Sequence, residues 1–341
     1  MRLAMRRRAL DLLVCPRDHH ALELAAPAEP GAEIMEGTLR CVGCEARYPI
    51  TGGVPRLLPD PERIPDPARA TVERFGAQWD RFDALGEHYE AQLLGWIRPN
   101  RPEDFAGRVV LEGGCGKGRH SALVARWGAK DVIAVDLGDA VDVAFRNTQG
   151  LDNVHVVQAD LFHLPLRPAS VDVAFSIGVL HHTPDPEGCF RELRATVRPG
   201  GKVIAWVYGR ENNGWIVHGI DPLRTRLTSR LPSDAVYQLS KLPAALLVAL
   251  GRGIYAPLGQ GRLKALGDRL FYADYIRQLS SFPFSEVHTI VHDHLTPTIA
   301  HYIPGPEFRA WFERVGLEDV VVEWHNQNSW RGTGTVPEPT P

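Results

Sequence analysis

The chain has 341 residues, 44% of them apolar and 23% charged, with a formal net charge of −3. Those values describe an ordinary folded protein and exclude a disordered polar chain, and the acidic balance gives no overall bias toward polyanions. Five cysteines in this length exclude a disulfide-stapled scaffold. No run reaches the ~18 apolar residues of a membrane span.

In chain order, the basic start Met1–Arg8 is followed by an apolar stretch that is too short for a signal peptide and is interrupted by Asp11. It reads as the mature start of a cytoplasmic protein. Residues 1–58 hold Cys15, Cys41 and Cys44 and form a ribbon-like segment. A Pro-rich linker and helical flap occupy residues 59–104, with Phe75, Trp79 and Trp96 in the flap. From 105 to 208, strand and helix signals alternate. Strands are expected at 108–111, 132–135, 154–157, 171–176 and 202–208, and helices at 118–127, 139–147 and 186–197. Such alternation implies a parallel sheet with helices on both faces, a doubly wound α/β fold. Residues 209–301 form a helical insertion or lid. Within it Leu242–Leu250 is expected to be a buried or interfacial helix, and Trp215, Ile216, Leu246, Leu247, Phe271, Tyr272 and Tyr275 the core of a subdomain. A final helix and β-hairpin take 302–331, and a disordered tail 332–341.

The chemistry concentrates at the end of the first strand, in Glu112-Gly113-Gly114-Cys115-Gly116-Lys117-Gly118-Arg119. Glycines let the chain turn sharply and approach a ligand closely. In doubly wound sheets the ligand sits there, beyond the strand ends. The spacing is G-x-G-x-G, with Arg119 where a dinucleotide fingerprint wants a third glycine. Glu112 would repel a pyrophosphate but suits an ammonium group, which points to S-adenosylmethionine (SAM) rather than NAD. Asp136 ends the second strand and can accept from ribose hydroxyls; Asp160, after the third, can accept from an adenine amino group. Any one of these acids could be a helix cap. Three at successive strand ends favour a nucleoside, with the flap aromatics lying over it.

Val110 to Gly118, Ser176-Ile177-Gly178-Val179-Leu180-His181-His182 and Leu193 to Gly201 resemble the motif regions of class I SAM-dependent methyltransferases. The resemblance implies a seven-stranded Rossmann-like sheet closed by an antiparallel hairpin. It also implies a cofactor site of Glu112, Gly113, Gly114, Gly116, Gly118, Asp136, Leu137, Asp160, Leu161 and Ser176. His181 and His182, past the fourth strand, are candidate catalytic bases. His292, Asp293, His294, His301 and Tyr302 are further candidates by location.

In the first segment, Cys41-x-x-Cys44 supplies two corners of a tetrahedral zinc site. A second knuckle needs a cysteine at position 18, where Asp18 stands. Cys15 with Asp18, His19 or His20 can complete the set, or the ribbon folds without metal. Cys15-Pro16, Cys41, Cys44, Tyr48-Pro49-Ile50 and Gly53-Val54-Pro55 resemble the zinc-ribbon family that partners tRNA and protein methyltransferases. SAM and a structural zinc (through Cys15, Asp18, Cys41 and Cys44) are thus the expected cofactors. The expected partner is a small-molecule or lipid-like acceptor, with nucleic acid disfavoured by the acidic balance. The alternatives are a ribosomal or transfer RNA methyltransferase, a NAD-dependent oxidoreductase, which the Gly spacing and Glu112 disfavour, and a non-catalytic SAM-binding subunit.

Overall fold

A computed structural model describes residues 7–25, 34–86 and 88–339. Met1–Arg6 of the basic start and the last two tail residues lie outside them. Among the described residues eleven strands form one continuous sheet, in the order β1-β2-β3-β4-β7-β6-β5-β8-β9-β11-β10. The ribbon contributes β1 (Leu22–Leu24), β2 (Gly37–Cys41), β3 (Arg47–Thr51) and β4 (Val54–Leu57). The core contributes β5 (Val109–Gly113), β6 (Asp131–Asp136), β7 (Val154–Ala159), β8 (Val171–Ile177) and β9 (Val197–Tyr208). The closing antiparallel hairpin is β10 (Glu318–His325) and β11 (Ser329–Thr335), with β11 paired against β9.

The expected seven-stranded sheet is present as β5 to β11, and the four ribbon strands extend it to eleven, for a specific reason. β4 pairs in parallel with β7, Arg56 opposite Gln158 and Leu57 opposite Ala159, so the ribbon extends the core sheet instead of hanging from a linker. The alternating pattern of the ribbon strand β3, exposed then buried, is that of a sheet wetted on one face. β8, by contrast, is buried at all seven positions, as a central parallel strand must be when helices cover both faces. The hairpin also runs past residue 331. β11 continues to Thr335, and Val336 behind it is buried.

The helix Asp66–Arg81 and the helix His88–Ile97 make the flap over the strand ends. The lid places Ser233–Leu250, Ala273–Ser280 and Phe284–Leu295 above the acceptor side. Ala244, Leu279, Phe282, Val287 and Val291 form its core, with Leu247 and Val248 packed against them. Ile216 and Tyr272 are buried as expected, but Trp215, Leu246 and Phe271 are exposed.

Candidate active site

The cofactor half is built from contiguous loops. Gly114, Gly116 and Gly118 all have left-handed φ (80°, 50° and 78°), which explains the glycines. A Cβ at Gly114 would run into Val179, and one at Gly116 would lie 3.0 Å from the Trp79 ring nitrogen. Asp136 holds this loop: one carboxylate oxygen accepts from Gly116 N–H at 2.8 Å and the other from Gly138 N–H at 3.0 Å. Each oxygen keeps a lone pair for a hydroxyl. Asp160 accepts from Phe162 N–H at 3.0 Å.

Gly114, Gly116, Asp136, Leu137, Asp160 and Leu161 line one deep cavity, with Cys115, Lys117 and Arg119. Gly113, Gly118 and Ser176 stand behind it. Gly113 leaves room for Leu193, Gly118 packs on Ala144, and the Ser176 hydroxyl donates to the Gly113 carbonyl at 2.8 Å. Glu112 is also set back from the cavity. It accepts from the Ser121 hydroxyl and shares a 3.1 Å hydrogen bond with His120 Nδ1. Burial pushes its pKa up to about 8, so at neutral pH it is an uncharged acid. His120, not Glu112, faces the cavity, and its Nε2 is buried without a partner.

Gln92 Oε1 and Trp206 Nε1, on two other cavity-lining residues, are likewise buried and unpartnered. Buried polar atoms left open in this way are costly unless a ligand satisfies them. A ligand bearing both an ammonium and a carboxylate offers the donors and acceptors that they need. With a carboxylate at Asp136 that can still accept from a pair of hydroxyls, the residues present fit SAM. Lys117 and the flap glutamine are features that the motif alone does not reveal. Lys117, inside the glycine run, donates to the carbonyls of Phe82 and Ala84 and to the Tyr89 hydroxyl, bolting the flap to the loop. Burial lowers its pKa to about 8.

The acceptor half is assembled from distant segments. His182 lines the cavity; its Nδ1–H donates to the Ile299 carbonyl at 2.8 Å, which leaves Nε2 as the free lone pair. Burial, first, and the nearby Arg224 hold its pKa down to about 3, so the ring is neutral. His181 is fully buried behind it, its ring centroid 4.0 Å from that of Tyr208 and tilted to it, with neither nitrogen partnered. Asp293 lines the cavity from the lid and accepts from the Gln78 side chain of the flap, whose oxygen accepts in turn from His292 Nδ1–H at 2.6 Å. Burial raises the Asp293 pKa to about 7, the range suited to a general base. His294 lines the cavity beside Tyr208, whereas His301 and Tyr302 do not.

In the ribbon, Cys15, Asp18, Cys41 and Cys44 bring their ligand atoms within 4.8 Å of one another. Cys15 Sγ lies 3.6 Å from Cys44 Sγ, and Cys41 Sγ lies 3.2 Å from Asp18. Three thiols and one carboxylate make a donor set that fits a structural zinc. Among the described residues no other group of this kind occurs.

Comparison with known proteins agrees with the methyltransferase core and with the ribbon. Residues 111–205 match the family described as "Methyltransferase domain", and residues 6–53 the family described as "Trm112p-like protein". A tRNA U34 carboxymethyltransferase of Marinobacter nauticus is 37% identical over 134 residues, 36% of this chain and 39% of that protein. The enzyme of that name from Idiomarina loihiensis is 32% identical over 108 residues, 30% of this chain and 33% of the relative. A ubiquinone biosynthesis O-methyltransferase of Pectobacterium carotovorum is 32% identical over 155 residues, 43% of this chain and 64% of the relative. The match therefore spans only about a third to two-fifths of the length of the two tRNA relatives.

The expectation of a small-molecule acceptor, with nucleic acid disfavoured, is corrected by the tRNA enzymes among these relatives. It rested on net charge, which is a sum over the whole chain. Glycine loop, strand-end acids, sheet order and family match agree: residues 111–205 are a class I SAM-dependent methyltransferase domain, fused to a Trm112-like zinc-ribbon domain over residues 6–53.

Proposed function

We propose that the protein is a SAM-dependent methyltransferase whose acceptor is a base of tRNA, working in the cytoplasm. The observation that carries this reading is the continuity of the cavity. The glycine loop, Asp136 and Asp160 open into a chamber walled by Phe75, His182, Trp206 and Tyr208, with the titratable Asp293 on its far side. Ring-lined chambers of this kind suit one planar base extruded from a nucleic acid. Similarity to the tRNA U34 enzymes supports the choice of tRNA.

SAM supplies an electrophilic methyl sulfonium, and the protein's part is to hold, orient and deprotonate. Asp136 and the loop amides fix the nucleoside; His120, Gln92 and Trp206 meet the amino-acid end; the flap, bolted by Lys117, excludes water. The ionised Asp293 accepts the proton that the acceptor atom gives up, and His182 Nε2 accepts a hydrogen bond from the base. Incubation of total tRNA with methyl-labelled SAM, followed by nucleoside mass spectrometry, tests this. Label in a single nucleoside is expected. A protein that binds SAM yet leaves all tRNA unlabelled would sink the tRNA assignment.

A further inference from the structure

The segment that neither the cofactor half nor the acceptor half uses is the outer face of the lid. The helix that begins at Ser233 continues to Leu258, 26 residues in all. Its inner side is spoken for: Val236 and Ala244 are buried, and the Ser240 hydroxyl and His288 Nε2 are hydrogen-bonded at 2.8 Å across to the helix Phe284–Leu295. Its outer side is aliphatic throughout its middle. Leu239, Leu242, Leu246, Leu250 and Ile254 recur at spacings of three and four and are all exposed, Leu242 by 69%. Leu263, Leu266 and Phe271 extend the same exposure around the adjoining turn. A soluble monomer does not leave so long an aliphatic row in water without a use for it.

The charges around the row indicate its occupant. Residues 239–271 contain five cations, Lys241, Arg252, Arg262, Lys264 and Arg269, and a single acid, Asp268. That acid is already taken, by Lys264 and Arg277, each at 2.6 Å. A chain with net charge −3 thus concentrates positive charge about its most apolar surface. A second copy of the chain would set those cations against their own images, because a two-fold interface pairs a patch with itself. Nucleic acid would meet the charges but gain nothing from leucine side chains, since bases bind by stacking on rings. A partner both apolar and anionic satisfies both features.

We infer that the outer face of Ser233–Leu258, with the turn through Phe271, seats the protein on the surface of an anionic lipid bilayer. The helix lies in the plane of the interface rather than across it, because its inner face stays packed on the lid. The leucines enter the acyl boundary and the flanking cations meet lipid headgroups. This docking is independent of which acceptor is methylated.

The test is cosedimentation of the full chain with vesicles of phosphatidylcholine alone and of phosphatidylcholine with equimolar phosphatidylglycerol. Binding to the mixed vesicles is expected to be roughly tenfold or more tighter and to weaken at high salt. L242E/L246E should abolish it, and R262E/R269E should weaken it by roughly tenfold or more. All four side chains are solvent-exposed, so thermal midpoint and SAM binding are the controls that keep a folding defect apart from a docking defect. Failure to bind the anionic vesicles overturns the inference. So does a dimer in light scattering that L242E/L246E disperses with no vesicle binding by the parent, or tRNA binding that the leucine variants remove.

Discussion

The two halves of the cavity are made in opposite ways. The cofactor half is built chiefly from three short loops between Glu112 and Phe162, and backbone groups hold its key acid: Asp136 is fixed by two amide N–H donors. The acceptor half brings together Gln78, His182 and Asp293 from flap, core and lid, held by side-chain hydrogen bonds that span more than 200 residues of sequence in the case of Gln78 and Asp293. A backbone-held site is rigid before any ligand arrives. A side-chain-held one depends on three separate segments being docked at once. The first half should therefore fail all at once when cut, and the second should fail selectively.

The largest effect expected is on the first half. Asp136→Ala removes the hydroxyl acceptor and orphans Gly116 N–H, and should weaken SAM binding by on the order of 100-fold in calorimetric titration, at two charge-assisted hydrogen bonds. Retention of wild-type affinity would erase the contrast. On the acceptor side, Asp293→Asn should lower kcat by roughly 100-fold while changing SAM affinity by less than about threefold. In the parent, activity should rise with pH through about 7 as Asp293 ionises, and that rise should be missing from the variant. An equal loss of SAM affinity in D293N would show the two halves to be one unit.

Stability sharpens the comparison further. Asp293 and Glu112 both have folded pKa values raised by burial, to about 7 and about 8 from 3.8 and 4.5. Between the unfolded and folded values these two acids hold more protons in the folded protein than in the unfolded chain. Below about 6.5 the histidines that burial keeps neutral, His182, His292, His294 and His325, act in the opposite sense. The fall in stability is therefore expected as pH rises from about 6.5 to about 8. Melting temperatures followed over that window should decline, and less steeply in D293N. A flat profile would mean that neither acid is buried as described. The smallest effect concerns the ribbon. Metal analysis should find one zinc per chain. Its removal by a chelator, or Cys41→Ser, should lower the melting temperature by several degrees, about 2–4 °C per kcal/mol lost, because β4 would lose its support at the edge of β7. Unchanged melting with no bound metal would mark a metal-free ribbon.

Much of the cofactor half was legible in the residues because its determinants are local. Gly114, Gly116 and Gly118 are required by a left-handed backbone, and Asp136 and Asp160 come after strands whose apolar runs are plain. The ribbon's donors were legible for the same reason: Cys41 and Cys44 are neighbours, and Asp18 stands where a cysteine would complete the pattern. Glu112 was legible as a residue but not in its state, because the charge of an acid depends on what buries it. Lys117 could have been noticed, a cation inside a glycine run, but its carbonyl partners at Phe82 and Ala84 lie more than thirty residues away. Gln92 carries no sequence signal at all.

The sequence alone determined the doubly wound core, the glycine loop with its strand-end acids, and the three candidate thiol donors of the ribbon, because each rests on backbone conformation or on spacing within a few residues. Tertiary structure alone decided that the ribbon joins the core sheet through β4 and β7, and that His182 rather than His181 reaches the cavity. It also decided that Asp293 is the acid poised near neutrality. These depend on packing between segments far apart in the chain, where burial sets the pKa, and neither packing nor burial is written in local pattern.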